Sequence, residues 1–164
     1  MKKLCTLLAA LALALATTSA QEVMPDVEVK TLDGESVNAQ QIGTATEGAT
    51  VVAFWATWCS PCKKELDAYA EYYDEWKDEL GAEVVAVTID TRRQLSKVRP
   101  MVESKGWEFP ILSDANQQLQ QALNFQTVPQ VFVLDKDGKI VYSHSGYVPG
   151  DELEIADKLE QLKG

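Results

Sequence analysis

The chain has 164 residues, with 25 acidic against 15 basic side chains and one histidine, giving a formal charge of −10 at pH 7. That length suits one domain with a proper core, and so acidic a balance argues against nucleic acid or an anionic membrane surface as partner. The three cysteines, Cys5, Cys59 and Cys62, are too few, and two of them too close together, to form a framework of disulfide staples.

The first twenty residues read as a cleaved secretory signal. Lys2 and Lys3 precede the apolar run Leu4–Ala16, and Thr17-Thr18-Ser19-Ala20 supplies small residues for cleavage. A run of that length makes only about 20 Å of helix, short of the ~30 Å hydrocarbon thickness of a bilayer. Cys5 lies too early to be a lipoprotein attachment site. Residues 1–20 carry two lysines and no acid, so the expected mature domain, 21–164, has a formal charge of −12. It keeps only Cys59 and Cys62. Export with a single C-x-x-C pair points to redox chemistry in the periplasm or another oxidising extracytoplasmic compartment.

Val27 to Leu32 alternates as a half-buried strand, and Asp33-Gly34 follows as a turn. Residues 35–49 are polar and read as loop with one short strand. Thr50 to Ala56 is a continuous apolar run, as expected of a strand buried on both faces. Pro61 to Leu80 is helical, with Cys62, Leu66, Tyr69, Tyr73 and Trp76 at spacings of three and four, and Gly81 ends it. Glu83 to Asp90 is a second buried strand. A helix over 94–105 is shortened or kinked by Pro100. Phe109–Leu112 is extended, and Asn116–Leu123 is a short helix. Gln130–Leu134 and Lys139–Ser143 flank Asp135-Lys136-Asp137-Gly138 as an antiparallel hairpin. Asp151-Glu152-Leu153-Glu154 looks like a capping box opening a helix to Leu162. This order predicts an α/β fold, a central mixed sheet flanked by helices.

Trp58-Cys59-Ser60-Pro61-Cys62 falls at the carboxyl end of the first buried strand, where open α/β sheets place their sites. Cys59 is set at the N-terminus of the following helix, whose dipole and free N–H groups favour a thiolate. A stabilised thiolate gains little as attacker, because nucleophilicity falls with basicity, but it is a better leaving group. Pro61 lacks an N–H and is tolerated in the first turn, where it stiffens the pair. Ser60 offers a hydrogen bond and no positive charge. A histidine there would favour an oxidant, so its absence leans towards a reductant.

The string Phe54 to Glu65 resembles thioredoxin-fold proteins of the TlpA/ResA type, which are exported thiol–disulfide oxidoreductases. The likeness covers nearly the whole mature chain. It implies a thioredoxin-like fold with an N-terminal hairpin extension and a central insertion, here around residues 94–123. Thr127-Val128-Pro129 matches the family's cis-proline loop, and Asp135–Gly138 and Gly146 fall at its hairpin turn and following glycine. The resemblance implies that Cys59 is the nucleophile and Cys62 the resolving thiol of a redox-active disulfide. A cis Pro129 would present the Val128 backbone to an extended substrate, with Trp58 shielding one side of the site. The resemblance also implies that Glu65 handles the proton of the buried thiol, the competing reading being a solvated helix acid. Many thioredoxins have a buried aspartate where this chain has Ala53, which leaves that proton to Glu65 or water.

The expected partners are disulfide-containing protein substrates and a membrane-bound electron donor, with the chain acting as a monomer. No cofactor is expected, and one histidine with one close cysteine pair does not suggest a zinc site. His144 is expected at the surface or sheet edge, and Lys63 and Lys64 as exposed helix lysines. Competing readings are a disulfide oxidase or isomerase, a thiol peroxidase, and a non-catalytic peptide-binding module.

Overall fold

All six residues of the strand Thr50–Trp55 are buried, because the sheet is covered on both faces. The computed structural model describes residues 23–44 and 46–163, so the secretory signal read over 1–20 lies outside the described residues. The strands are β1 (Glu28–Thr31), β2 (Ser36–Asn38), β3 (Thr50–Trp55), β4 (Glu83–Thr88), β5 (Ile111–Ser113), β6 (Gln130–Leu134) and β7 (Ile140–Ser145). The helices are α1 (Ser60–Leu80), α2 (Val98–Lys105), α3 (Gln118–Ala122) and α4 (Asp151–Leu162). One mixed sheet runs β2-β1-β5-β4-β3-β6-β7. β3 pairs in parallel with β4 and antiparallel with β6, and β4 in parallel with β5.

The crossovers β3-α1-β4 and β4-α2-β5 step the same way across the sheet, so right-handed connection puts α1 and α2 on one face. Asp67 of α1 accordingly meets Lys105 at the end of α2 at 2.6 Å, and Trp107 Nε1 at 3.0 Å. Side chains alternate along β3. Trp55 packs edge-on to Trp107 on the α1 face, which Ala53 shares. Phe54 meets Phe125 and Phe132 on the other. The N-terminal hairpin β1–β2 attaches to β5, so the hairpin and the insertion together widen the sheet beyond β4.

Local chemistry adjusts three expectations. Residues 35–49 hold β2 as the short strand, and a 3-10 turn over Ala39–Thr44 buries Ile42. Leu95–Lys97 winds as a 3-10 turn before α2 begins at Val98. That puts Pro100 in the first α turn, where its missing N–H has no acceptor to lose, so the proline shortens the helix. The capping box at Asp151 does not form. Gly150, at φ 110°, holds the cap position and Asp151 is the first helical residue. Asp151 Oδ2 instead accepts from Val148 N at 2.8 Å, and it is Glu152 that reaches back to Gly150 N at 3.0 Å.

Candidate active site

β3 delivers the chain into Ala56-Thr57-Trp58, and α1 starts one residue after Cys59. Cys59 is the N-cap residue, in extended backbone, and its Sγ accepts from Cys62 N at 3.3 Å. Pro61 sits in the first turn, as expected for a residue with no N–H to leave unpaired. Cys59 and Cys62 are joined as a disulfide, with Cα atoms 5.4 Å apart. Cys59 is 4 % exposed and Cys62 0 %, so Cys59 is the less completely buried of the two. Ser60 and Pro61 are exposed between them.

Trp58 is 58 % exposed, in contrast to the fully buried Trp55. A large apolar side chain held out beside a reactive disulfide offers contact area to a partner. The Val128–Pro129 peptide bond is cis. Gln130 pairs with Phe54, and extending that register sets Pro129 across from Trp55 and Val128 across from Ala56, at the strand end that leads to Cys59. Val128 is half-buried. Neither its N–H nor its C=O has a hydrogen-bond partner among the described residues, whereas Pro129 O accepts from Gly146 N at 2.9 Å. Val128 therefore has free backbone groups for strand-like pairing with an incoming segment.

Glu65 is not a solvated helix acid: it is fully buried, one turn beyond Cys62. Tyr69 donates to Oε1 at 3.3 Å, and Oε2 has no partner among the described residues. Burial pushes the carboxyl up to about 8, the negative charge of Asp151 adds to this, and the Tyr69 bond opposes it. Burial and the adjacent Glu65 together push the Tyr69 hydroxyl well above its ordinary value. Glu65 is thus mostly a neutral acid at pH 7, close in basicity to an ordinary thiol. With Ala53 on the same side of β3, that strand supplies no carboxyl group here, and Glu65 comes from the helix. His144 is half-buried on the edge strand β7, with Nε2 3.1 Å from Asp151 Oδ2.

Two supports of the loop were not anticipated. Asp90, fully buried just past β4, accepts from Thr57 N at 2.8 Å, Thr57 Oγ1 at 2.8 Å and Thr88 Oγ1 at 2.7 Å. Lys63, expected to be free in solvent, is half-buried and donates from Nζ to Thr57 O at 3.1 Å. Thr57 is held from both sides, which fixes the approach to Cys59. The one sequence clue to Asp90 is an acid ending an otherwise apolar strand. A peroxidatic site would turn a threonine hydroxyl towards the cysteine, whereas that of Thr57 is committed to Asp90.

The chain matches known proteins over most of its length. Residues 20–143 match the AhpC/TSA family. The thioredoxin-like protein YneN of Bacillus subtilis is 34 % identical over 131 residues, 79 % of this chain and 74 % of that one. The thiol–disulfide oxidoreductase ResA of Bacillus thuringiensis is 31 % identical, over 79 % of this chain and 72 % of its own. A thioredoxin-like protein of Porphyromonas gingivalis, solved in solution, superposes with a TM-score of 0.76 at 38 % identity, covering 85 % of this chain and 91 % of that one. With its fold, its Cys59–Cys62 pair and these relatives, the chain belongs to the AhpC/TSA family and, within it, to the ResA-like thioredoxin-fold thiol–disulfide oxidoreductases.

Proposed function

We propose that the chain is exported by residues 1–20 and, as a monomer, reduces disulfides in extracytoplasmic proteins. The observation that carries this reading is the Cys59–Cys62 disulfide at the start of α1, opposite the free backbone of Val128. In the reduced protein the Cys59 thiolate attacks one sulfur of a substrate disulfide. A Cys59–substrate S–S bond forms, the substrate's own S–S bond breaks, and one substrate thiolate leaves and takes up a proton. Cys62 then loses its proton and attacks Cys59 Sγ. The mixed disulfide breaks, the second substrate thiol is released, and the Cys59–Cys62 bond re-forms, so two electrons have passed to the substrate. A dithiol donor at the membrane returns them by the reverse exchange.

Glu65 supports the second step. Its ionised form, a minority at pH 7 that grows as pH approaches about 8, has a basicity near that of a thiol and takes the Cys62 proton with little free-energy mismatch, as general-base transfer requires. Trp58 and the Val128–Pro129 segment hold the substrate chain while the exchange occurs.

The test is capture with Cys62→Ser protein, reduced and then exposed to an extracytoplasmic extract. Mixed disulfides through Cys59 should persist and be lost on adding Cys59→Ser. Direction is read separately, by equilibrating the wild-type pair against glutathione. A potential near that of thioredoxin, about −270 mV, supports the reductase, and one near that of DsbA, about −120 mV, replaces it with an oxidase. Absence of any Cys59-dependent adduct overturns the proposal.

A further inference from the structure

A cavity separate from the dithiol opens where β4 and β5 end and β1 turns. Thr88 pairs with Ser113 and Ser113 with Lys30, so the cavity is at the same end of the sheet as Cys59 but displaced across it towards the hairpin. Its volume is about 660 Å³, within the range of small-molecule sites. Leu32, Leu95, Pro100 and Ala115 give it mainly apolar walls. N-terminal hairpin and α2 segment meet there, so neither could build it alone.

The charge around it is opposite to that of the protein. The three arginines of this acidic chain are Arg92, Arg93 and Arg99, and residues 91–100 hold four cations and no acid. Arg92, Arg99 and Lys30 line the cavity. Arg99 is paired with the exposed Asp33 at 2.6 Å, while Arg92 has no ion-pair partner among the described residues. Ser113, also in the lining, has a buried hydroxyl with no hydrogen-bond partner among the described residues. A buried donor without an acceptor and a free guanidinium in one mainly apolar lining call for a ligand with an anionic head and an apolar body.

We infer that this cavity binds a small organic carboxylate, its head taken by Arg92, Arg99 and the Ser113 hydroxyl and its chain against Leu32, Leu95 and Ala115. Arginine suits the head because its planar fork meets a carboxylate with two parallel hydrogen bonds. The inference is independent of the direction in which the dithiol passes electrons.

Octanoate and octan-1-ol serve as probes, titrated into the oxidised protein and followed by amide chemical shifts. Octanoate should give saturable shifts at Leu32, Leu95, Ser113 and Ala115, with octan-1-ol binding about tenfold more weakly. The Arg92→Gln/Arg99→Gln variant should weaken octanoate about tenfold, leave octan-1-ol unchanged, and exchange with glutathione disulfide at the wild-type rate. Equal binding of acid and alcohol, shifts centred on Trp58 and Val128, or no saturation below the micellar concentration would each overturn the inference. So would binding of an acidic, leucine-rich peptide at these amides when octanoate does not bind. Slowed glutathione exchange in the variant would make Arg92 and Arg99 part of the dithiol's surroundings and likewise overturn it.

Discussion

Replacing Glu65 with glutamine should change how stability depends on pH more than stability itself. Glutamine keeps the shape and can still accept from Tyr69, but it cannot ionise. In the folded protein the Glu65 carboxyl is raised from 4.5 to about 8, chiefly by burial. The folded state therefore holds the proton more tightly than the unfolded chain. Its contribution to stability is fully present below pH 4.5 and is lost as pH rises through about 8. At about 1.4 kcal/mol per pH unit, the whole span is worth ~5 kcal/mol. Urea unfolding of the oxidised wild-type and Glu65→Gln proteins, at intervals from pH 4.5 to 8.5, isolates this effect because carboxylates that do not interact with Glu65 cancel in the difference. The variant should gain on the wild type steadily across that window, by ~3–5 kcal/mol in all. Parallel curves between pH 5 and 8 would refute the reasoning, since Glu65 would then titrate as an ordinary acid. Rapid-mixing measurement of the Cys62 step should show a loss of about 100-fold in the variant if Glu65 is its base.

Asp90→Ala leaves Thr57 N, Thr57 Oγ1 and Thr88 Oγ1 without their buried acceptor and should cost about 3–5 kcal/mol in urea unfolding, with Asp90→Asn losing roughly half as much. A loss under about 0.5 kcal/mol for the alanine variant would show that the loop does not depend on this carboxylate. Trp58→Ala should shift stability by no more than about 0.5 kcal/mol, because the side chain is largely in solvent. It should raise KM for a protein disulfide several-fold without affecting exchange with glutathione disulfide, and an equal effect on both would remove Trp58 from substrate contact. At Gly48 an added Cβ would lie 2.3 Å from Gly81 O, a backbone atom that cannot swing aside. Gly48→Ala should lower stability by about 1–3 kcal/mol, read as a drop of several degrees in Tm.

How legible each part was depends on how far apart its partners lie in the chain. β3 and α1 were readable because burial on both faces leaves an unbroken apolar run and burial on one face leaves a three-four spacing, both within a short window. The cysteine pair and its place at a helix start came with them. Asp90 was opaque, because an acid at a strand end looks like a turn residue. Its partner Thr57 is 33 positions away and arrives only through the parallel register of β3 with β4. For Glu65 the spacing from Cys62 was visible, but burial was not, since the spacing of α1 says nothing of how α4 packs beside it. The capping box at Asp151 misled because Gly150, with its positive φ, takes the cap position and frees Asp151 to bond Val148 and His144. The cavity at Arg92 and Arg99 needed the hairpin, β5 and α2 brought together, which no local pattern announces.

The unequal burial of Cys59 and Cys62 has a kinetic consequence. If only Cys59 Sγ can be reached from outside, substrate and electron donor must meet the protein at the same atom, from the same side. Neither can then act while the other is engaged, and no ternary complex lies on the path. Turnover would alternate strictly between two half-reactions, giving parallel lines in double-reciprocal plots, and an excess of either partner would block the other. A protein built this way has one doorway for electrons going in and coming out, and its selectivity in both directions rests on the same few exposed residues around it.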